Sequence, residues 1–381
     1  MYRFLFLFLI FIFSCNNNIS LDKNGWIKDG FLISLGDNFY LKNSKKPYVL
    51  KDTLIIPKNT VLIIKNSVDL FLKKGAHIIN NGNFVLGENN LDSLSFFNDS
   101  DFLNNDFIYN LKIHSGNKLK IKNNSKLILN YVNLNGLIIN NDNELIINNS
   151  LLIDSYINNE NSSIDLNYSY INNTSFYLNK TSIVINNSFI NNCKNFNINN
   201  SNNLIINNFL IFNNSIIDLK NSYNNSIINN VFYKNNKGLV INNNDNYNKI
   251  FNNLFIKNKT ALELKDSSIV YIINNNFDNN KIAIKNSLNN YVNNFIISKN
   301  NIYSYNLNDF DIKNNIITHS YCLSNKDTLK GYYNIFNDPF YINSNKFNYN
   351  LDSLSPALRS GNNNKNLGVN INNINNIKYL K

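Results

Sequence analysis

The side chains of this chain that could act on a ligand are few, and they are spaced among asparagines. Asp218 and Glu263 each lie inside a short apolar run, and Lys220, Lys237, Lys259, Lys265, Lys281 and Lys285 flank the same runs. Two facing carboxylates could serve as acid and base on a glycosidic bond, and converging acidic groups could hold calcium. A row of ammonium groups would instead attract an anionic polymer, with an affinity that salt weakens. Composition favours the second chemistry: Lys and Arg number 36 against 25 Asp and Glu, a formal net charge of +11, although only 16% of residues are charged. Asp-Asp pairs are absent, Arg359 is the only arginine besides Arg3, and His77, His114 and His319 are scattered. Cys193 and Cys322 are far apart and belong to no Cys/His ligand pattern, so both read as buried thiols and no metal or cofactor is expected. Asp218 and Glu263 therefore stand as the only catalytic candidates, and Lys237, Lys259, Lys265 and Lys281 as the ligand-binding ones.

The elements that must carry these residues follow from a repeat. Ile185-Asn186-Asn187-Ser188-Phe189, Ile206-Asn207-Asn208-Phe209, Ile228-Asn229-Asn230-Val231-Phe232, Phe251-Asn252-Asn253-Leu254-Phe255 and Ile273-Asn274-Asn275-Asn276-Phe277 share a pattern. They recur at about 21 residues, a solenoid period. Around Phe232 the apolar stretches Gly238-Leu239-Val240-Ile241, Lys249-Ile250-Phe251 and Leu254-Phe255-Ile256 are too short for helices and suit a pleated surface. Three strands and three Asn-rich corners make one coil. A coil alone cannot bury its inward side chains, so coils must stack with parallel pairing. The expected fold is all-β, a right-handed parallel β-helix. Asparagine suits its corners because it tolerates the left-handed backbone and its amide bonds to backbone groups. A ladder of amides is expected at Asn187, Asn208, Asn230, Asn253, Asn275, Asn294 and Asn315. A hydrophobic content of 43% argues against disorder.

Alternation then orients the candidates. With Leu219, Ile241, Leu264 and Ile284 inward, Asp218, Val240, Glu263 and Ala283 point outward in one column. Asp218 and Glu263 are then two coils apart, roughly 10 Å, too far to share an ion and slightly beyond an acid/base pair. Isolated, solvated carboxylates beside a lysine row are the expectation.

The chain opens with Met1-Tyr2-Arg3, an unbroken apolar run from Phe4 to Phe13, and Ser14-Cys15. The run is shorter than the ~20 residues of a membrane span. It resembles a bacterial lipoprotein signal cut before a cysteine that becomes acylated, with Phe13 where a small or aliphatic residue is commoner. The expected organisation is a signal over 1–14, Cys15 as lipidation site, a tether over 15–25, a β-helix with its N-terminal cap over 26–340 and a C-terminal capping segment over 341–381. Trp26, the only tryptophan, is expected to pack on the first coil.

Tyr48-Val49-Leu50-Lys51-Asp52-Thr53-Leu54-Ile55-Ile56-Pro57-Lys58-Asn59-Thr60-Val61-Leu62-Ile63-Ile64, preceded by Pro47, resembles the opening coils of pectate-lyase-like β-helix repeat proteins. Leu72 to Gly87 continues the pattern. Asn337-Asp338-Pro339-Phe340-Tyr341, Tyr349-Asn350-Leu351 and Ser355-Pro356-Ala357-Leu358-Arg359-Ser360-Gly361 resemble their closing segment. The resemblance implies polysaccharide ligands and, in enzymes of this kind, aspartates that bind calcium with an Arg or Lys base. That set is not evident here. The expectation is a membrane-anchored, monomeric β-helix lipoprotein of the cell envelope that scaffolds or binds anionic polysaccharide without catalysis. Its alternative is a diverged polysaccharide lyase or other carbohydrate-active enzyme, in which Ca2+ would have a place. Aromatic stacking motifs are not evident, so nucleic acid is not an expected partner.

Overall fold

The structure, a computed structural model, describes residues 32–35, 38–41, 48–64, 68–87, 112–114, 119–242, 247–265, 269–286, 295–304, 318–325, 329 and 331–380. Cys15, Trp26, Asn294, Asn315 and the signal and tether segments lie outside them. The chain divides into two compact units, 1–165 and 166–381. Both are parallel β-solenoids, and among the described residues there is no α-helix.

In the second unit one coil runs through the strands Lys237–Asn242, Tyr247–Phe251 and Leu254–Ile256, which belong to what we term sheets I, II and III. Thr260–Lys265 then returns to sheet I one level on. The levels pair in parallel, with Val240 opposite Glu263, Ile250 opposite Ile272 and Phe255 opposite Phe277. These are the strands expected from the apolar stretches. Inward residues Leu239, Ile241, Ile250 and Phe255 are fully buried. Stacking places like on like: the rings of Phe232, Phe255, Phe277 and Tyr303 form an internal column with centroids 4.5, 4.9 and 5.1 Å apart. Such offset aromatic pairs add to the stabilisation from burial alone.

Each short corner uses two residues with different tasks. Between sheets II and III the first takes the left-handed conformation: Asn187, Asn208, Asn229, Asn252 and Asn274 have φ of 48, 51, 58, 55 and 57°. The second turns inward. Asn230 donates its backbone N–H and its amide to Asn253 Oδ1, both at 2.9 Å, and its amide also to Ile206 O at 3.0 Å. Asn253 repeats this with Asn275, and Asn275 with Asn301. The ladder is present, with a correction to the expected column. Asn187 and Asn208 stand level with Asn229, the left-handed position, because Asn207 pairs with Ile228. Ser188 and Phe209 occupy the rung level there. A second ladder, Asn235, Asn258 and Asn280, fills the corner from sheet III to sheet I. Cys193 and Cys322 are buried rungs with polar contacts to backbone, and burial pushes their thiols up to about 12 and about 11.

The first unit opens as expected, with Tyr48–Leu50, Leu54–Ile56 and Val61–Ile64 around the Pro57 turn, where Thr60 Oγ1 donates to Pro57 O at 2.8 Å. Leu32–Leu35 folds back antiparallel on Asn38–Leu41, blunting the edge of sheet II. Its ladder is elsewhere: Asn80, Asn123, Asn141 and Asn159, at the ends of sheet I strands, pass amide bonds from one to the next. Gly87, at φ +97°, is required because a Cβ would overlap Asn130 O.

The closing segment packs on the second unit. Asp338 Oδ1 accepts from Phe340 N at 2.8 Å, and Ser355 Oγ donates to Pro339 O, tying the two expected turns together. The tail then returns along the corner between sheets II and III. Asn362 N donates to Asn300 Oδ1, Val369 N to Asn276 Oδ1, Asn370 N to Asn252 Oδ1 and Asn375 N to Asn208 Oδ1. The corner asparagines thus cap the backbone of the tail.

Candidate functional site

Sheet I of the second unit carries the expected candidates. Asp218 pairs with Val240 and Val240 with Glu263, so the two carboxylates face outward two coils apart. The column then departs from expectation, since Glu263 lies opposite Lys285, and Leu262 rather than Leu264 lies opposite Ile284. A slip of two residues preserves which side faces out, so alternation could not detect it.

Nor is Glu263 a solvated carboxylate. Its side chain is 2% exposed, with Lys237 Nζ 2.6 Å from Oε2 and Lys285 Nζ 3.0 Å from Oε1. Burial pushes this carboxyl up, but the hydrogen bonds from Lys237 and Lys285 outweigh it and hold the group below its ordinary range. A carboxylate so bound is a poor general acid and is not available as a base. Asp218 lies 3.6 Å from Lys220 Nζ. Among the described residues no cluster of His, Cys, Asp and Glu is arranged to hold a metal ion.

The lysines divide. Lys237 is engaged by Glu263, and Lys265 ends its strand on the same face. Lys259 and Lys281 are exposed on successive coils at the corner between sheets III and I, where their backbone N–H groups donate to Asn235 O and Asn258 O. Lys234 and Lys257, absent from the expectation, join them: both are exposed and hold left-handed corner positions, φ 53 and 51°. Four ammonium groups thus share one corner over three successive coils.

Two acidic sites escaped sequence reasoning. On sheet II of the first unit Lys126 Nζ bonds Glu144 Oε1 at 3.0 Å, and the Asp165 carboxyl is pushed up by burial, then by Glu144. On sheet III of the second unit Asp278 is buried and accepts from Ser304 Oγ at 2.6 Å, Tyr349 OH at 2.7 Å and Asn279 Nδ2 at 3.0 Å. Burial raises its carboxyl, and the hydrogen bonds oppose the rise only in part. Burial, then Asp278, pushes the Tyr349 phenol well above its usual range. A cavity of about 420 Å³ adjoins this group, lined among others by Asp338, Tyr341 and Asp352. Asp338 and Asp352 are already committed to their own turns.

His319 is a core residue. It faces inward from sheet II with Nδ1 2.8 Å from Ser298 Oγ, and burial lowers it to about 4. Although Ser298 and His319 have the chemistry of a nucleophile and its base, both are sealed inside the solenoid.

The strand pairing defines a parallel β-helix of stacked three-strand coils. Comparison of three-dimensional structures finds similarity to a mutant of the periplasmic alginate epimerase AlgG, with a TM-score of 0.48 and 12% identity over 81% of each chain. The unmutated AlgG scores 0.45 at 12% identity, covering 81% of this chain and 80% of that one. Pectate lyase Pel9A scores 0.24 at 10% identity, covering 82% and 87%. No family model and no curated protein sequence matches.

Proposed function

We propose that this protein is a lipid-anchored component of the cell envelope, held at the membrane through Cys15, whose rigid β-helix binds acidic polysaccharide without cleaving it. The observation that carries the reading is the lysine corner. Lys234 and Lys257 stack in one column of the corner and Lys259 and Lys281 in the adjacent one, on coils ~4.8 Å apart, a cluster of cations suited to a polymer with one acidic group per sugar. Lys237 and Lys265 add to the field from sheet I, Lys237 less because of Glu263. The test is binding of a polyuronate to the purified protein over a salt series. Changing Lys234, Lys257, Lys259 and Lys281 together to Gln is expected to weaken low-salt affinity at least tenfold, about 1.4 kcal/mol. A variant that binds as before removes the corner from the account.

One observation favours a second reading, a diverged polysaccharide-active enzyme: the protonation-prone Asp278 beside an accessible cavity. Release of unsaturated or newly reducing sugar ends from a polyuronate, abolished by Asp278→Asn in a folded protein, would establish it.

A further inference from the structure

The three outer faces of the second unit differ. Sheet III is overlaid by the closing segment, through the Tyr349 bond to Asp278 and the edge-on contact of Phe347 with Tyr233, centroids 5.4 Å apart. On sheet I the lysines nearest Glu263 are engaged. Among the described residues sheet II has neither a cover of that kind nor a counter-charge: its described strands between 182 and 332 contain no Asp or Glu.

What sheet II presents outward is aromatic and basic. Tyr247 is 52% exposed, and its ring stacks on Tyr271 of the next coil, with centroids 4.9 Å and hydroxyls 2.6 Å apart. Lys249, also exposed, stands opposite Tyr271 and lies 5.0 Å from the centroid of Phe251. Further along, Lys299 lies 5.8 Å from the Tyr321 ring, which stacks on Tyr333, itself 73% exposed. Tyr271 is on one side of Tyr247, and the preceding coil, on the other side, carries the small outward residue Ser226 opposite Lys249. Tyr247 thus stays half exposed, with Lys249 two residues along the same outward face of its strand.

We infer that this face is a sugar-binding platform, in which the Tyr247 and Tyr271 rings pack against the apolar face of a pyranose ring while Lys249, and further along Lys299, meet its acidic groups. Aromatic rings offer rigid contact area at small entropic cost, and a face whose described strands carry two lysines and no carboxylate complements an acidic sugar. The inference takes its ligand class from the polysaccharide reading but not its site: it concerns sheet II, whereas the lysine corner lies between sheets III and I.

The experiment is retardation of the purified full chain in gels containing polyuronate, a neutral polysaccharide or, as a purely electrostatic control, duplex DNA. Three variants are compared with the unmodified protein: Tyr247→Ala with Tyr271→Ala, Tyr247→Phe, and the fourfold Lys→Gln corner variant. Circular dichroism and thermal melting check folding. The double Ala variant is expected to lose about tenfold in polyuronate affinity, as expected for two lost ring contacts, and to keep its DNA retardation. Tyr247→Phe, which keeps the ring, should bind within about twofold of the unmodified protein. If the double Ala variant binds polyuronate normally while the corner variant loses it, the platform is overturned and the lysine corner stands. Binding of neutral polysaccharide that depends on Tyr247 and Tyr271, with no preference for polyuronate, supports the platform and overturns the acidic-polymer reading. Parallel loss of DNA and polyuronate binding in the double Ala variant would mark a nonspecific surface and overturn the platform.

Discussion

Sheets I and II of the second unit are built on the same coils and both display lysine, yet they offer a ligand different things. On sheet I, Lys237 and Lys285 converge on Glu263, which is almost wholly buried, so their charge goes into holding the surface together. On sheet II, Lys249 and Lys299 lie over aromatic rings and face no carboxylate among the described residues of their own sheet. Counting lysines therefore overstates one face and understates the other. What separates a binding face from a structural one on a solenoid is whether the coil above or below supplies the counter-ion.

The largest expected effect removes what both faces share. Asn253→Ala should destabilise the protein by about 3 kcal/mol, because the backbone N–H and amide of Asn230 lose their acceptor in a buried corner. Chemical denaturation measures it, and a cost below about 1 kcal/mol would show that the ladder is ornamental.

Acid should act from inside sheet II. His319 is held neutral in the fold, at about 4 against an ordinary 6.5. Its contribution is complete above about pH 6.5 and is lost as pH falls toward 4, about 3 kcal/mol in all. His319→Gln should flatten the stability profile across that window. An unchanged profile would place the acid sensitivity elsewhere.

Glu263→Gln sharpens the contrast between the faces. It should cost about 1–3 kcal/mol, less than a fully buried pair because Lys237 and Lys285 remain 35% and 44% exposed. It should also raise polyanion affinity, since two lysines are released. Since the fold holds the Glu263 carboxyl below its usual range, the ion pairs stabilise fully above about pH 4.5 and fade as pH falls further. Weaker polyanion binding by Glu263→Gln would mean that Glu263 is itself a ligand contact.

The smallest change is on the open face: Lys249→Gln should lower polyuronate affinity about threefold with melting temperature unchanged, because the lysine is exposed and outside any ion pair among the described residues.

Much of this was legible in the sequence. The apolar stretches around Phe232 became strands within a residue or two, and strands flank the Pro57 turn. The level of the asparagine column was not legible at Asn187 and Asn208. There the outward strand-end residue is itself Asn, at 186 and 207, whereas Ile228, Phe251 and Ile273 hold that position on later coils, so the visible Asn pair moves by one. That switch from Asn to apolar and aromatic residues also begins the platform on sheet II. The partners of Glu263 were hidden because they come from adjacent coils, and the clamp on Asp278 because Tyr349 lies 71 residues away. Lys234 and Lys257 were not legible because each holds a left-handed corner position, a conformation that favours Asn and that Lys does not signal.

Titrating a defined polyuronate into the purified protein at low and at high salt, while following absorbance from unsaturated sugar ends, separates binding of acidic polysaccharide from its cleavage. Saturable binding that weakens at least tenfold as salt rises, with the polymer intact, is the expected result. No binding at low salt, or the steady appearance of unsaturated ends, would contradict it.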